Sequence, residues 1–305
     1  MTFEGLLPAD AVRPRWSTAS SLVYIGCFVV LAGTGVLVGI LGDEHGSWAR
    51  VGYAALATAA AAASALWLER LQRPVAAGVS ATVAVALLAL TVGAFEQAIG
   101  ILDVDVGDYQ PATLLVEAVT VAAAVLALRR LRAPLLVLPV ALTLWLAVVD
   151  LGSLGSWRDA GAGLSILVGA ALVGAGVALD RAERRPYALW LHLVGGIAVG
   201  GGVLALVEGD VPWALVGVLS LVYVAVAYGL ERSSYAVLGA IGILLTTTYF
   251  TFKGFAVLAA LLPFGAGEVD AGLDAWQVAL CFVGAGVAIV VLGLLDRRLT
   301  LLRRP

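Results

Sequence analysis

Charge is what this sequence has least of. Asp, Glu, Lys and Arg make up 13% of its 305 residues, against about 25% in a soluble domain. A chain of this length could bury an ordinary core and keep its surface charge, so the deficit points to lipid as the solvent. Lysine is nearly missing: Lys253 stands beside 17 Arg. No block of basic residues forms a nucleic-acid footprint, so no nucleic-acid partner is expected. Cys27 and Cys281 both lie in apolar runs, and without paired ligand spacings they read as buried thiols. The two histidines, His45 and His192, are far apart in sequence, which gives zinc or haem no ligand set. Nucleophile elbows, His-Glu-x-x-His and paired metal-ligand motifs do not occur. The sequence therefore predicts no enzyme, no metal and no cofactor.

What is present is apolar: 62% of residues, with a mean hydropathy of +1.03. A spanning helix needs about 20 mainly apolar residues. Ten segments meet that need, at 19–41, 49–68, 75–98, 112–128, 134–151, 160–179, 187–207, 212–230, 235–262 and 276–295. The first run, from Ser21 to Leu41, exceeds the roughly 7–15 residues of a signal-peptide core and reads as a span. The expected fold is all-α, a polytopic transmembrane bundle of about ten spans. It comprises an N-terminal arm at 1–16, a transmembrane domain at 17–298 and a tail at 299–305.

Orientation follows from Arg and Lys in the short loops. Arg13, Arg15, Arg70, Arg73, Arg129, Arg130, Arg132, Arg181, Arg184, Arg185, Arg232, Arg297, Arg298, Arg303 and Arg304 share one side, which is 15 of the 18 basic residues. That side is predicted to be the cytoplasm, so both termini are cytoplasmic and the protein lies in the cell (inner) membrane. The other side carries Arg50, Arg158 and Lys253, and its loops are acidic, with Asp103, Asp105 and Asp108 in one and Glu268, Asp270 and Asp274 in another.

The even-numbered spans repeat a pattern. Each opens on an aromatic residue (Trp48, Tyr109, Trp157, Trp213, Trp276) and reaches Arg 19–24 residues later. Four of the five close on Leu-acid-Arg: Leu68-Glu69-Arg70, Leu179-Asp180-Arg181, Leu230-Glu231-Arg232 and Leu295-Asp296-Arg297; the other reads Leu128-Arg129-Arg130. Interfacial preferences explain the aromatics and the arginines, but recurrence of the triplet predicts five parallel copies of a two-helix hairpin.

Ionisable groups inside spans are costly and are the first candidates for function. Glu117 is expected roughly 8 Å inside its span. Glu96, Gln97 and Lys253 sit near ends on the same side, with Asp150 and Glu208 at span ends. The pattern suggests an outward polar vestibule, with Lys253 paired to Glu96 or Glu117. Thr246, Thr247, Thr248, Tyr249 and Thr251 form the most polar stretch within a span; Thr246 is expected about 18 Å from its helix start, near the midplane. His192 is a candidate proton relay or a packing residue. Gly195, Gly196, Gly200, Gly201 and Gly202, and Gly35 with Gly39, smooth their helices for close crossings.

The Leu-acid-Arg helix ends and the stretch VLGAIGILLTTTYFTFKGF at 237–255 resemble the Ala/Leu/Val-rich multi-pass membrane proteins of unknown function found in GC-rich bacteria; that resemblance implies no activity. Two functions remain in view. One is a permease or channel-like protein for a small solute or ion. The other is a non-catalytic membrane subunit, scaffold or anchor of a larger complex. The bilayer is the expected partner, with a second copy or another membrane protein left open.

Overall fold

In the computed structural model, the described residues are 33–36, 38, 40, 44–102, 112–153, 161–206, 209–230 and 233–261. The N-terminal arm, most of the first predicted span, the tenth span and the tail lie outside them, as do Cys27, Cys281 and Glu208. The remaining eight spans are all helices: α1 (Ser47–Arg70), α2 (Pro74–Ala98), α3 (Thr113–Leu131), α4 (Val137–Ser153), α5 (Gly161–Arg181), α6 (Arg185–Ala205), α7 (Asp210–Leu230) and α8 (Ser233–Leu261). A short 3-10 turn, Pro134–Leu136, precedes α4. Among the described residues there is no strand.

Proline placement helps to set these boundaries. Among the described residues, Pro74, Pro134, Pro139, Pro186 and Pro212 all fall in the first turn of a helix, where a missing N–H costs no intrahelical bond. Among the described residues, six helices are long and apolar enough to cross a membrane. Such helices suit an integral membrane protein. Neither the 19-residue α3, which carries Glu117, Arg129 and Arg130, nor α8 is one of the six.

The Leu-acid-Arg ends make a recurring turn. After Leu68-Glu69-Arg70 the chain turns left-handed at Gln72, with φ 56°. Arg73 N–H then bonds the Leu68 carbonyl at 2.9 Å, and Gln72 N–H bonds that of Glu69 at 3.0 Å. After Leu179-Asp180-Arg181 the left-handed residue is Glu183, φ 60°, with Arg184 N–H on Leu179 at 2.8 Å and Glu183 N–H on Asp180 at 3.1 Å. These are two Schellman ends of the same geometry. The variant end, Leu128-Arg129-Arg130, turns at Arg132, φ 53°, with its N–H on Leu128 at 2.9 Å. In all three the left-handed residue follows the triplet's leucine by four.

The described helices fall into two compact units, one reaching Gly202 and one from Val203 onward. In the first, successive helices pack antiparallel. A contiguous core joins Ala65, Ala81, Ala124, Leu128, Leu136, Ala141, Leu179, Tyr187 and Leu191, most of it at the Arg-rich ends of the helices. The Tyr187 hydroxyl reaches the Arg132 carbonyl there, at 3.4 Å. α5 and α6 touch backbone to backbone. A Cβ at Gly169 would stand 2.7 Å from the Gly195 carbonyl, and one at Gly202 would stand 2.7 Å from that of Ala162. Trp145 Nε1 of α4 donates to Ser165 Oγ of α5 at 2.9 Å, and Ser165 donates to the Ala198 carbonyl of α6 at 2.7 Å. The glycines used lie seven apart; Gly200 meets nothing within 4 Å. In the second unit, α7 and α8 cross through Gly217, Ser220, Gly239 and Gly242.

Candidate functional site

At the end of the first unit away from its arginines, three helices bring polar groups inward. α2 ends in a Schellman turn: Ile101 N–H bonds the Glu96 carbonyl at 3.0 Å, and Gly100 N–H bonds that of Gln97 at 3.1 Å. This fixes the backbone beneath two predicted site residues. Gln97 Oε1 accepts from Arg50 Nη1 of α1 at 2.6 Å, and Trp48 meets Phe95 edge to face beside it. Glu96 has no such tie. Its side chain is 1% exposed, and neither carboxyl oxygen has a hydrogen-bond partner.

Glu117 on α3 is also buried, at 7% exposed. Asp150 on α4 lies against it, with Thr113 close to Asp150. Thr113 and Glu117 are one helical turn apart and so lie on the same face. Glu117 Oε2 has no hydrogen-bond partner. The pair therefore sets two acidic side chains together, with a buried carboxyl oxygen that no donor meets.

In the second unit, the polar residues of α8 face the start of α7. Lys253 Nζ bonds both Asp210 oxygens, and the Tyr249 hydroxyl donates to Asp210 Oδ1 at 2.8 Å. The Tyr249 ring stacks on Trp213, with centroids 4.5 Å apart and planes 11° from parallel. Thr246 Oγ1 lies 3.4 Å from the Trp213 carbonyl and packs on Gly217. Thr247 and Thr248 are half-buried.

One expectation needs correction. Lys253 does have a carboxylate partner, but it is Asp210 rather than Glu96 or Glu117. Asp210 and Lys253 are equally far from the α7–α8 turn, so the antiparallel register brings them together. Thr246 lies opposite the eighth residue of α7, about 10 Å from that helix's start.

The other predicted residue sits at the Arg-rich end. His192, 1% exposed, shares a hydrogen bond with Asp180 Oδ2 across α5 and α6 at 3.1 Å, its ring filling the space left by Gly176. Asp180 is the acid of a Leu-acid-Arg triplet. Glu69, its counterpart in α1, pairs with Arg130 of α3 at 3.2 Å. The triplet acids thus tie helix ends together, a role the sequence pattern left unassigned. Asp180 and Asp210, each a partner to a predicted residue, were missed as site residues, whereas Asp150 was expected among the polar groups at span ends. Among the described residues no three His, Cys, Asp or Glu side chains are grouped to hold a metal ion. Comparison of the chain with protein-family models, curated proteins and solved structures finds no match.

Proposed function

We propose that the chain is a multi-pass protein of the cell (inner) membrane, with both ends in the cytoplasm and about ten spans, acting as a permease or channel-like protein for a small solute or ion. The observation that carries this reading is the Glu117–Asp150 pair. Intramembrane carboxyls are expensive and are kept where they handle a substrate, an ion or a proton. This one is held by Thr113 in the half of the bundle away from the arginines, while the close-packed core occupies the Arg-rich half. That asymmetry suits a polar entry from outside above a closed inner end. The three matching turns support descent of the spans from one repeated hairpin. We assign no catalytic step.

The test is flux. Reconstituted into vesicles, the protein should pass a small ion or solute from a screened panel, and Glu117→Gln or Asp150→Asn should lower that flux tenfold or more without unfolding it. Absence of flux across the panel, or flux indifferent to both substitutions, would favour the alternative of a non-catalytic membrane subunit. Cysteines placed at 70, 132 and 184 should label from the cytoplasmic side only, and one at 105 from the outside only.

A further inference from the structure

We propose that Glu96 is a proton-binding site whose carboxyl exchanges its proton with water beyond the end of α2 and serves as the coupling group of the permease. Its purpose rests on that functional reading; its test does not. Glu96 is not part of the Glu117–Asp150 pair. It lies on a different helix, and both of its oxygens are buried without a partner. A carboxylate removed from water needs a positive charge or several donors. The titratable and charged groups at this end of the helices packed against α2 are Arg50 and Tyr53 on α1, Glu117 on α3 and Asp150 on α4. None makes a hydrogen bond or ion pair with Glu96. Arg50, the nearest cation in register, holds the neighbouring Gln97 instead. Neutrality therefore has to come from a ligand bound to the carboxyl itself.

The chemistry selects a proton over a metal ion. Hard cations take six or more oxygen ligands, and a single carboxyl supplies two. Among the described residues no other acidic side chain joins it, and the Glu96 main-chain carbonyl is already bonded to Ile101 and Leu102 N–H. A proton needs only one oxygen. Access is short as well as guarded. Glu96 is two residues from the end of α2 at Ala98, about 3 Å along the axis, yet its side chain is sealed. The exchange is a simple protonation: an O–H bond forms on one carboxyl oxygen as a hydronium ion gives up a proton and becomes water, and it breaks when water takes the proton back.

The test uses dicyclohexylcarbodiimide, an apolar reagent that modifies protonated carboxyls in apolar surroundings, on the full-length protein in lipid vesicles. Modification at Glu96 is read by peptide mass spectrometry across a pH series. Glu96 should be labelled at acid pH, with labelling falling about tenfold per pH unit above its midpoint, and saturating sodium or an organic ammonium ion at fixed pH should leave it unchanged. Glu96→Gln should remove that modification. The proposal is overturned if Glu96 stays unlabelled throughout the series in folded protein, or if sodium or the ammonium ion protects it at constant pH. Labelling without flux would keep the proton site and sink the permease; flux without labelling would do the reverse.

Discussion

Lys253 and Asp210 form a two-point bond, ammonium to both carboxylate oxygens, and Tyr249 donates to the same carboxylate from one turn earlier on α8. Three α8 positions, 246, 249 and 253, thus face three α7 positions, 217, 213 and 210. Asp210→Asn and Lys253→Met should each lower the unfolding temperature in detergent, and the double variant should be no worse than the poorer single one. Strictly additive losses in that cycle would mean that the two groups do not couple.

Close approach of α5 and α6 leaves no room for a side chain at Gly169. Gly169→Ala would press its Cβ on the Gly195 carbonyl, 2.7 Å away, and backbone cannot swing aside as a side chain can. A loss of about 1–3 kcal/mol is expected. Gly174, on the same helix, meets nothing within 4 Å. Gly174→Ala should be neutral or gain up to about 1 kcal/mol. Thermal unfolding of the two variants side by side checks the contrast.

His192 has a dedicated acceptor in Asp180. Asp180→Ala leaves a buried ring without that partner, which costs about 1–3 kcal/mol. Asp180→Asn keeps an acceptor oxygen in place and should recover most of the loss. Equal stability of the two variants would show that the hydrogen bond does not matter.

Left-handed residues other than glycine are strained, by roughly 1–2 kcal/mol each. Gln72→Gly, Arg132→Gly and Glu183→Gly should each raise the unfolding temperature, with a net gain of roughly 0.5–1 kcal/mol once glycine's looser unfolded state is counted. The converse change, Gly100→Ala at φ 74°, should lower it.

The helices were legible because lipid demands long apolar runs and arginine ends them. The segments 49–68, 75–98 and 212–230 correspond to Ser47–Arg70, Pro74–Ala98 and Asp210–Leu230. The pairings were less legible. A helix apolar on all faces carries no periodic signal for which face meets a neighbour. Nothing in the sequence alone separates Gly195 and Gly202, which are used in the crossing, from Gly200, which is not. One signal was available. In a hairpin with a short turn, residues equally distant from the turn meet. Asp210 lies 20 residues before Leu230 and Lys253 lies 20 after Ser233. The Glu117–Asp150 pair was open to the same reasoning, whereas the solitary burial of Glu96 had no counterpart in sequence.

The tight turns at Gln72 and Glu183 also limit how these hairpins can move. Sliding one arm past the other by a helical turn would shift it about 5.4 Å, which takes close to two more residues of extended chain. Each turn spans only a few residues, and all of them are tied by backbone hydrogen bonds. A piston stroke is therefore closed to either hairpin. What remains for the α1–α2 hairpin is leverage: arms pivoting about the Arg-rich end, with displacement growing along their length, so that a small change of angle at the fulcrum becomes the largest movement where Glu96 lies.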